Sequence, residues 1–406
     1  MLQSPAQSIE MRTSWVVATV ALSVIALSFG APWIVTVALK TIAEETGGAR
    51  SVPALAAALA WFGSGLGGIM MGRIAEKVGV RVTVIFGSAM IAIGMTLSSL
   101  GATWQLYLGH GLFIGLIGLG GINAPLYVYV SSWFDRRRGS ALALISSGTY
   151  IAGSLWPPIF ERAIAHIGWR QTLAYYAVFQ VVLVAPLAFA FLRPPPEPVP
   201  TPAAIGGSGS GRVLGWPPNL VFVLMAAAIF MCCVTMSMPQ AHLVAFCSDL
   251  GIAASHGAAM LSLLLGMAFL SRQIWGLVSD RIGGLSTILI GSAAQAAAMS
   301  AFLMVQGETG LFVVSAAFGL GFSGLIPAYI LAARELFPAS EASWRIPTLL
   351  LCSGSGMATG GWLAGLMYDK FGFYGPAFMT GIAFNLLNLA VICVLVARQK
   401  YAAAQA

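Results

Sequence analysis

The chain contains about twelve uninterrupted apolar runs of membrane-spanning length, and this pattern constrains its fold more than any other feature. A helix needs roughly 20 apolar residues to cross a bilayer, and inside lipid it satisfies its backbone hydrogen bonds internally. The sequence therefore predicts an all-α membrane protein with twelve transmembrane helices. The runs fall near 13–39, 51–75, 82–101, 105–133, 139–165, 170–192, 218–247, 255–279, 285–305, 309–333, 345–369 and 373–397.

Charged side chains are too scarce to cover a water-soluble protein of this size. The chain has 20 Lys and Arg and 13 Asp and Glu among 406 residues, and 58% of its residues are hydrophobic. A soluble domain uses roughly one charged residue in four. We therefore expect membrane lipid to be the solvent for most of the surface. The net charge of +7 is divided among short gaps between apolar runs, which does not favour nucleic acid as a partner.

The apolar runs fall into two sets of six, separated by a segment rich first in Pro and then in Gly and Ser. Such a composition cannot build a core and is typical of a linker. We predict an N-terminal six-helix bundle at 1–192, a cytoplasmic linker at 193–217 and a C-terminal six-helix bundle at 218–406.

The distribution of Lys and Arg predicts the orientation of the chain. Basic residues accumulate on the cytoplasmic side of membrane proteins. Placing the N-terminus in the cytoplasm assigns 14 of the 20 basic residues to that side and five to the other. We expect a multi-pass protein of the cell (inner) membrane with both termini in the cytoplasm.

The two halves carry matching residues at a nearly constant offset. Three glycine pairs lie 204 residues apart (276 − 72, 283 − 79 and 372 − 168), and one proline pair lies 202 apart (327 − 125). Four such markers favour a duplicated six-helix unit, an arrangement found in many transporters. The paired residues are Gly72 and Gly276, Gly79 and Gly283, Gly168 and Gly372, and Pro125 and Pro327.

Two of these glycine pairs enclose acidic and basic residues. The stretches GRIAEKVG at 72–79 and GLVSDRIG at 276–283 resemble the signature of the major facilitator superfamily. The resemblance implies the major facilitator fold, two pseudo-symmetric bundles that rock against each other, with this motif acting as a gate at the helix ends. The candidate gating residues are Glu76, Lys77 and Arg81 in the first copy and Asp280 and Arg281 in the second.

Arg272 is a charged residue deep inside an apolar run. It lies eight residues before Asp280, roughly 12 Å deeper along a helix that rises 1.5 Å per residue. A charge in the membrane is costly and marks a functional site by default. The guanidinium is always cationic, and its planar fork matches a carboxylate. Because no Asp or Glu lies at that depth, the sequence predicts that Arg272 binds the carboxylate of a small organic anion.

Other polar residues in the runs are candidate partners for the same cargo. Asn123, Tyr127 and Tyr329 lie beside the paired prolines, at positions where transporters commonly bind substrate. His110 and His242 are candidates for proton coupling, because histidine exchanges protons near neutral pH. Each of the five can also be interpreted as a packing residue or an interhelical contact.

A narrower resemblance is carried by WFDRRRGSALALISSG at 133–148 and SFGAPWIVTV at 28–37. These stretches resemble the signature and the first helix of the monocarboxylate transporter family (solute carrier family 16), and we interpret the chain as a bacterial-type member. The resemblance implies that Arg272 is the arginine that binds the substrate carboxylate. It also makes Phe29 a candidate substrate contact.

The chain departs from that family at Trp33 and Ala268, where its proton-handling lysine and acidic residue fall. We therefore expect the proton to travel on the substrate or on a histidine. The resemblance implies proton-coupled symport of a small monocarboxylate, such as L-lactate or pyruvate, by alternating access in a functional monomer.

An organic-anion exchanger of the oxalate/formate type is the alternative, since it shares this fold. The sequence shows no acid–base or nucleophile constellation and no metal-ligand spacing. An enzyme, a metal site and a cofactor are therefore not expected.

Overall fold

The computed structural model describes residues 10–134, 137–194, 212–338 and 341–405, and these are helical almost throughout. Most of the predicted linker lies outside the described residues, and so does Arg136 of the 133–148 stretch. A π-helical segment, Gly109–Leu119, connects α6 to α7. The α-helices are α1 (Arg12–Ser28), α2 (Gly30–Val37), α3 (Leu39–Glu45), α4 (Ser51–Val78), α5 (Val80–Ser99), α6 (Thr103–Leu108), α7 (Gly120–Ser131), α8 (Arg138–Ser146), α9 (Gly148–Phe191), α10 (Pro218–Asp249), α11 (Ala254–Ile282), α12 (Gly284–Met304), α13 (Glu308–Phe322), α14 (Leu325–Leu336), α15 (Ala342–Phe371) and α16 (Gly375–Gln405).

Eleven helical stretches in the described ranges are long and apolar enough to cross a bilayer, and one of them is long enough to cross twice. Ser140–Phe191 has 52 residues, which would make a straight helix of about 78 Å against roughly 30 Å of hydrocarbon. Its backbone leaves the helical conformation at Gly168, where φ is 76° and ψ is 161°. Ten single spans and one double span make twelve crossings. The predicted fold class, an all-α membrane protein of twelve helices in two pseudo-symmetric bundles, is confirmed.

Four glycines of the sequence repeat share a positive φ angle. Gly79, Gly168, Gly283 and Gly372 have φ values between 76° and 86°. Residues with a Cβ rarely adopt positive φ, whereas glycine does so at little steric cost. Each glycine lies in the tight turn between two successive spans. Gly79 and Gly283 also have similar ψ angles, 148° and 166°, so this pair repeats the same backbone geometry. Gly168 and Gly372 differ in ψ, at 161° and 0°.

The two halves contact each other along two seams. Helix α4 packs along α15, and α9 packs along α11. Small residues allow this close approach: Gly365 lies against the backbone of Arg50 and Ser51, and Gly153 lies against the side chain of Leu265. The domain boundaries themselves stay a prediction.

The seams run between two ends of the molecule. At one end Glu10 accepts a hydrogen bond from the backbone of Arg137, and the guanidinium of Arg398 lies 4.4 Å from the ring centre of Trp216. We call this the terminal end, because the first and last helices start and finish there. At the opposite end, Arg50 of the N-terminal half is bonded to Asp249 of the C-terminal half. We call this the latch end.

Candidate functional site

Arg272 lies between the two halves. From α11, its Nη1 donates a 3.4 Å hydrogen bond to the carbonyl oxygen of Ser146, and its guanidinium carbon lies 5.1 Å from the ring centre of Tyr150 in α9. Arg272 makes no ion pair with any residue that the structure describes. Because a 3.4 Å bond is long for N–H···O, these contacts orient the guanidinium without neutralising it. Most of its five N–H donors have no partner among the described residues and can bind a ligand.

Tyr127 and Asn123 extend this group, which we call the Arg272 cluster. Tyr127 in α7 interacts electrostatically with Arg272 and lies beside the Ser146 side chain. Asn123 precedes Tyr127 by one helical turn on the same face. Its Oδ1 is buried and has no hydrogen-bond partner within the described part of the chain, so it can accept a hydrogen bond from a hydroxyl of the cargo.

A small cavity lies beside Phe29, between α2, α4, α10 and α15. The ring centre of Phe29 is 5.6 Å from that of Trp61, which lines the cavity together with Trp33. Its volume of about 30 Å³ has room for one or two water molecules. We call it the aromatic cavity. Both halves form its walls, which are Trp33, Thr36, Ala54, Ala57, Ala58, Trp61, Ser237, Gln240, Ala241, Met357 and Gly361.

Gln240 gives the aromatic cavity an unpaired hydrogen-bond donor. The residue is 6% exposed, and its Nε2 has no partner among the described residues. The Trp33 indole lies against Gly153, which follows Tyr150 by three residues, or about 4.5 Å along a helix. The aromatic cavity therefore lies about one turn from the Arg272 cluster, toward the latch end.

Tyr329 and His110 are held inside their own bundles. The Tyr329 hydroxyl donates a 2.6 Å hydrogen bond to Oδ1 of Asn388. Nδ1 of His110 lies 3.0 Å from the Ser98 hydroxyl and 3.1 Å from the carbonyl oxygen of Leu106. The structure places neither residue beside Arg272, and their roles stay predictions.

His242 belongs to a buried relay near the latch end. Its Nε2 lies 2.8 Å from the carbonyl oxygen of Gly361, and its Nδ1 lies 2.9 Å from the hydroxyl of Tyr374. The Tyr374 oxygen also accepts a 2.9 Å hydrogen bond from Nη1 of Arg50. Burial raises the pKa of Tyr374 above its ordinary value, so the hydroxyl keeps its proton. His242 is thereby connected to a charge on the opposite half.

Four residues of the C-terminal half contact Arg50, and we call this group the latch: Asp249, Tyr368, Asp369 and Tyr374. Arg50 donates two 2.6 Å hydrogen bonds to the Asp249 carboxylate, and its guanidinium carbon lies 3.7 Å from the ring centre of Tyr368. The Asp369 carboxylate accepts the backbone N–H groups of Arg50 and Ser51 at 2.7 and 2.9 Å. Burial lowers the pKa of Arg50, but the bonds to Asp249 and Tyr374 outweigh it and hold the pKa above its ordinary value. The latch end is closed.

The predicted gating residues at the terminal end are not paired across the halves. Glu76, Lys77, Asp280 and Arg281 are exposed and make no ion pair with any other described residue. Arg81 donates a 3.0 Å hydrogen bond to the carbonyl oxygen of Leu192 within its own half. The two ends therefore differ: charged contacts tie the halves together at the latch end but not through these residues at the terminal end.

Several residues of these sites are missing from the sequence prediction. Tyr150 lies just beyond the recognised 133–148 stretch, and Gln240 is a lone polar residue in an apolar run. Arg50 and Asp249 look like ordinary interfacial charges. Their opposite signs at one end of the two halves are the only sequence signal that could have indicated the latch.

Comparison with known proteins identifies the family. Residues 21–305, 285 of the 406 positions, match the family model of the Major Facilitator Superfamily. Monocarboxylate transporter 13 of Bos taurus is 25% identical over 347 residues, covering 85% of this chain and 79% of the relative. The MFS-type transporter pynF of Aspergillus niger is 24% identical over 355 residues, covering 81% of this chain and 78% of the relative.

Solved structures share the fold. A bacterial homolog of the human lysosomal transporter Spinster, in an inward-facing and occupied conformation, matches with a TM-score of 0.66 at 17% identity over 96% of both chains. The peptide transporter POT matches with a TM-score of 0.72 at 14% identity, covering 93% of this chain and 94% of the other. The matched proteins are membrane transporters and not enzymes. The family model spans well over half of the sequence, and the chain therefore belongs to the Major Facilitator Superfamily.

Proposed function

We propose that this transporter carries a small monocarboxylate, such as L-lactate or pyruvate, together with a proton across the cell membrane. The observation that carries the proposal is Arg272, a guanidinium between the halves with no carboxylate partner in the described part of the chain. The similarity to monocarboxylate transporter 13 supports this cargo class and favours it over the oxalate/formate exchanger.

In the proposed complex the cargo carboxylate replaces the long Ser146 contact of Arg272. Two parallel N–H···O bonds then hold the anion, and the Tyr127 hydroxyl donates to one of its oxygens. Oδ1 of Asn123 accepts from a hydroxyl on the cargo. The apolar end of the cargo points toward Phe29 and the aromatic cavity, since that side of the cluster is lined by rings.

Binding lowers the cost of enclosing Arg272, which is the proposed link between cargo and conformational change. A guanidinium sealed from water without a counter-ion is costly, and the cargo supplies that counter-ion. The loaded site can therefore pass through a state closed at both ends, and each ligand shifts an existing equilibrium between open states.

The proposed orientation places the terminal end in the cytoplasm and the latch end outside. The closed latch then corresponds to a carrier whose access is from the cytoplasm. Glu76, Lys77 and Arg81, with Asp280 and Arg281, would close the terminal end when the latch opens. The unit that performs this cycle is proposed to be the monomer.

Uptake of labelled L-lactate into proteoliposomes under a proton gradient tests the assignment. Arg272→Gln removes a charge-assisted carboxylate contact of about 1.5–3 kcal/mol, so uptake at low substrate should fall roughly 10- to 150-fold. Arg272→Lys keeps the charge and should retain part of the uptake. Arg162→Gln, which removes an exposed basic residue of α9, is the matched control. Wild-type uptake by the Arg272→Gln variant would overturn the proposal.

A further inference from the structure

The hydrogen bonds that run from Arg50 through Tyr374 to His242 and Gly361 all donate in the same direction. The Gly361 carbonyl oxygen can only accept, so Nε2 of His242 carries the ring hydrogen and Nδ1 is the acceptor. Tyr374 therefore donates its O–H to Nδ1 while its oxygen accepts from Nη1 of Arg50. All of this requires a neutral His242. Since Arg50 belongs to the other half, the relay in this form also requires the latch to be closed.

A proton that reaches His242 must bind at Nδ1, the ring nitrogen that has a free lone pair. Nδ1–H would then point at the Tyr374 oxygen, which already receives the Arg50 N–H, and the Tyr374 O–H would lose its acceptor. The imidazolium and the guanidinium would also share one hydroxyl in a buried site, where like charges repel strongly. Binding of a proton and docking of Arg50 are therefore opposed.

We propose that His242 is the proton-binding site of this carrier and that the proton and the closed latch compete through Tyr374. The inference rests on the proposed proton coupling. It adds the residue that binds the proton and the contact between the halves that the proton opens. Once Arg50 withdraws, Tyr374 turns its O–H toward Asp249 or water, and its oxygen accepts from Nδ1–H. Acid on the latch side therefore opens the gate, and docking of Arg50 favours release of the proton, because coupling between two sites is reciprocal.

Other charged groups around the relay have partners of their own. Asp249 in α10 binds Arg50 and lies 3.6 Å from the Lys40 ammonium of α3. Asp369 and Tyr368 of α15 face Arg50. His256 and Glu308 form an exposed pair at 2.8 Å on the same end. Of the histidines buried in the described helices, His242 is the one bonded to a residue that touches the opposite half, whereas His110 contacts only its own bundle.

The distance between spin labels at Glu44→Cys and Ser255→Cys would measure how far the latch end opens, since these exposed residues lie there on opposite halves. The purified full chain is used in nanodiscs without cargo, with the exposed Cys393 replaced by Ser. From about pH 8 to about pH 5, where histidine titrates, the long-distance population should grow roughly tenfold, within the 5- to 150-fold usual for coupled sites.

His242→Gln is the decisive variant. The Gln side chain can accept from Tyr374 and donate to Gly361 but cannot take up a proton, so the labels should stay close at both pH values. His110→Gln and His256→Gln are the matched controls and should keep the wild-type response. Tyr374→Phe, which leaves the Arg50–Asp249 pair in place, should lose most of it.

A wild-type pH response in His242→Gln would overturn the proposal. A label distance that does not change with pH in the native protein would overturn the proposal as well. Because no cargo is present, a failure of lactate uptake would not affect this result. A gate that is independent of pH would, in turn, leave carboxylate binding at Arg272 untouched.

Discussion

Two tyrosines at matching positions of the repeat have different surroundings. Tyr127 interacts with Arg272 between the halves, whereas the Tyr329 hydroxyl is bonded to Asn388 inside the C-terminal bundle. The sequence repeat treats them as equivalent. Their neighbours differ because, among the described helices, only one half carries a guanidinium at this depth.

Tyr127→Phe should raise the KM for L-lactate while leaving kcat nearly unchanged, because it removes one neutral hydrogen bond of about 1 kcal/mol, roughly a fivefold effect. The measurement is initial uptake in proteoliposomes as a function of substrate concentration. A KM within experimental error of the native value would exclude Tyr127 from the cargo site.

Tyr329→Phe should instead lower the melting temperature and leave KM unchanged. The substitution strands the Asn388 Oδ1 acceptor in a fully buried position, which costs about 1–3 kcal/mol. Thermal unfolding in detergent measures the loss. An altered KM at native stability would instead place Tyr329 in contact with cargo.

At the scale of the helix, glycine decides how closely spans approach. Within α4, a Cβ added at Gly67 would lie 2.7 Å from the backbone carbonyl carbon of Leu116, whereas a Cβ at Gly72 would meet nothing within 4 Å. Leu116 lies in the π-helical segment, so the fourth span presents backbone directly to α4 at this point. Small residues let transmembrane helices pack at such distances.

Gly67→Ala should destabilise the protein by about 1–3 kcal/mol, the usual cost of overpacking, and Gly72→Ala should not. Both substitutions place the same methyl group on the same helix, so helix propensity cancels in the comparison. Melting temperatures of the two variants in one detergent provide the measurement. Equal values would show that α4 and the π-helical segment can separate without cost.

At the scale of the whole molecule, the latch ties the two halves together at one end. Arg50 places a cation of the N-terminal half between Asp249 and two tyrosines of the C-terminal half. The hydrogen bonds are two-pronged and the side chain is only 6% exposed, so this ion pair differs from the weak surface pairs that add little to stability.

Arg50→Asp should open the latch end by placing like charges opposite each other, and adding Asp249→Arg should restore part of the closed population. The distance between labels at Glu44→Cys and Ser255→Cys reports both states. Pairs in direct contact show interaction energies of about 0.5–3 kcal/mol in such cycles. Strictly additive effects would mean that the two residues do not hold the halves together.

The sequence alone determined the membrane environment, the number of spans and the repeat. Spans of 20 apolar residues have one stable form in lipid, and positive φ at Gly79 and Gly283 follows from a residue type that can be read in the sequence. Arg272 was also evident, because a charge inside an apolar run stands out against its neighbours.

Only the tertiary structure decided which side chains meet across the two halves. Arg50 and Asp249 lie 199 residues apart, and no local pattern records that their helix ends touch. Likewise, nothing along the chain separates Tyr127 from Tyr329 or His242 from His110. The physical reason is that a span's apolar pattern reflects contact with lipid and neighbouring helices alike, so it does not specify which face of a helix turns toward the other bundle.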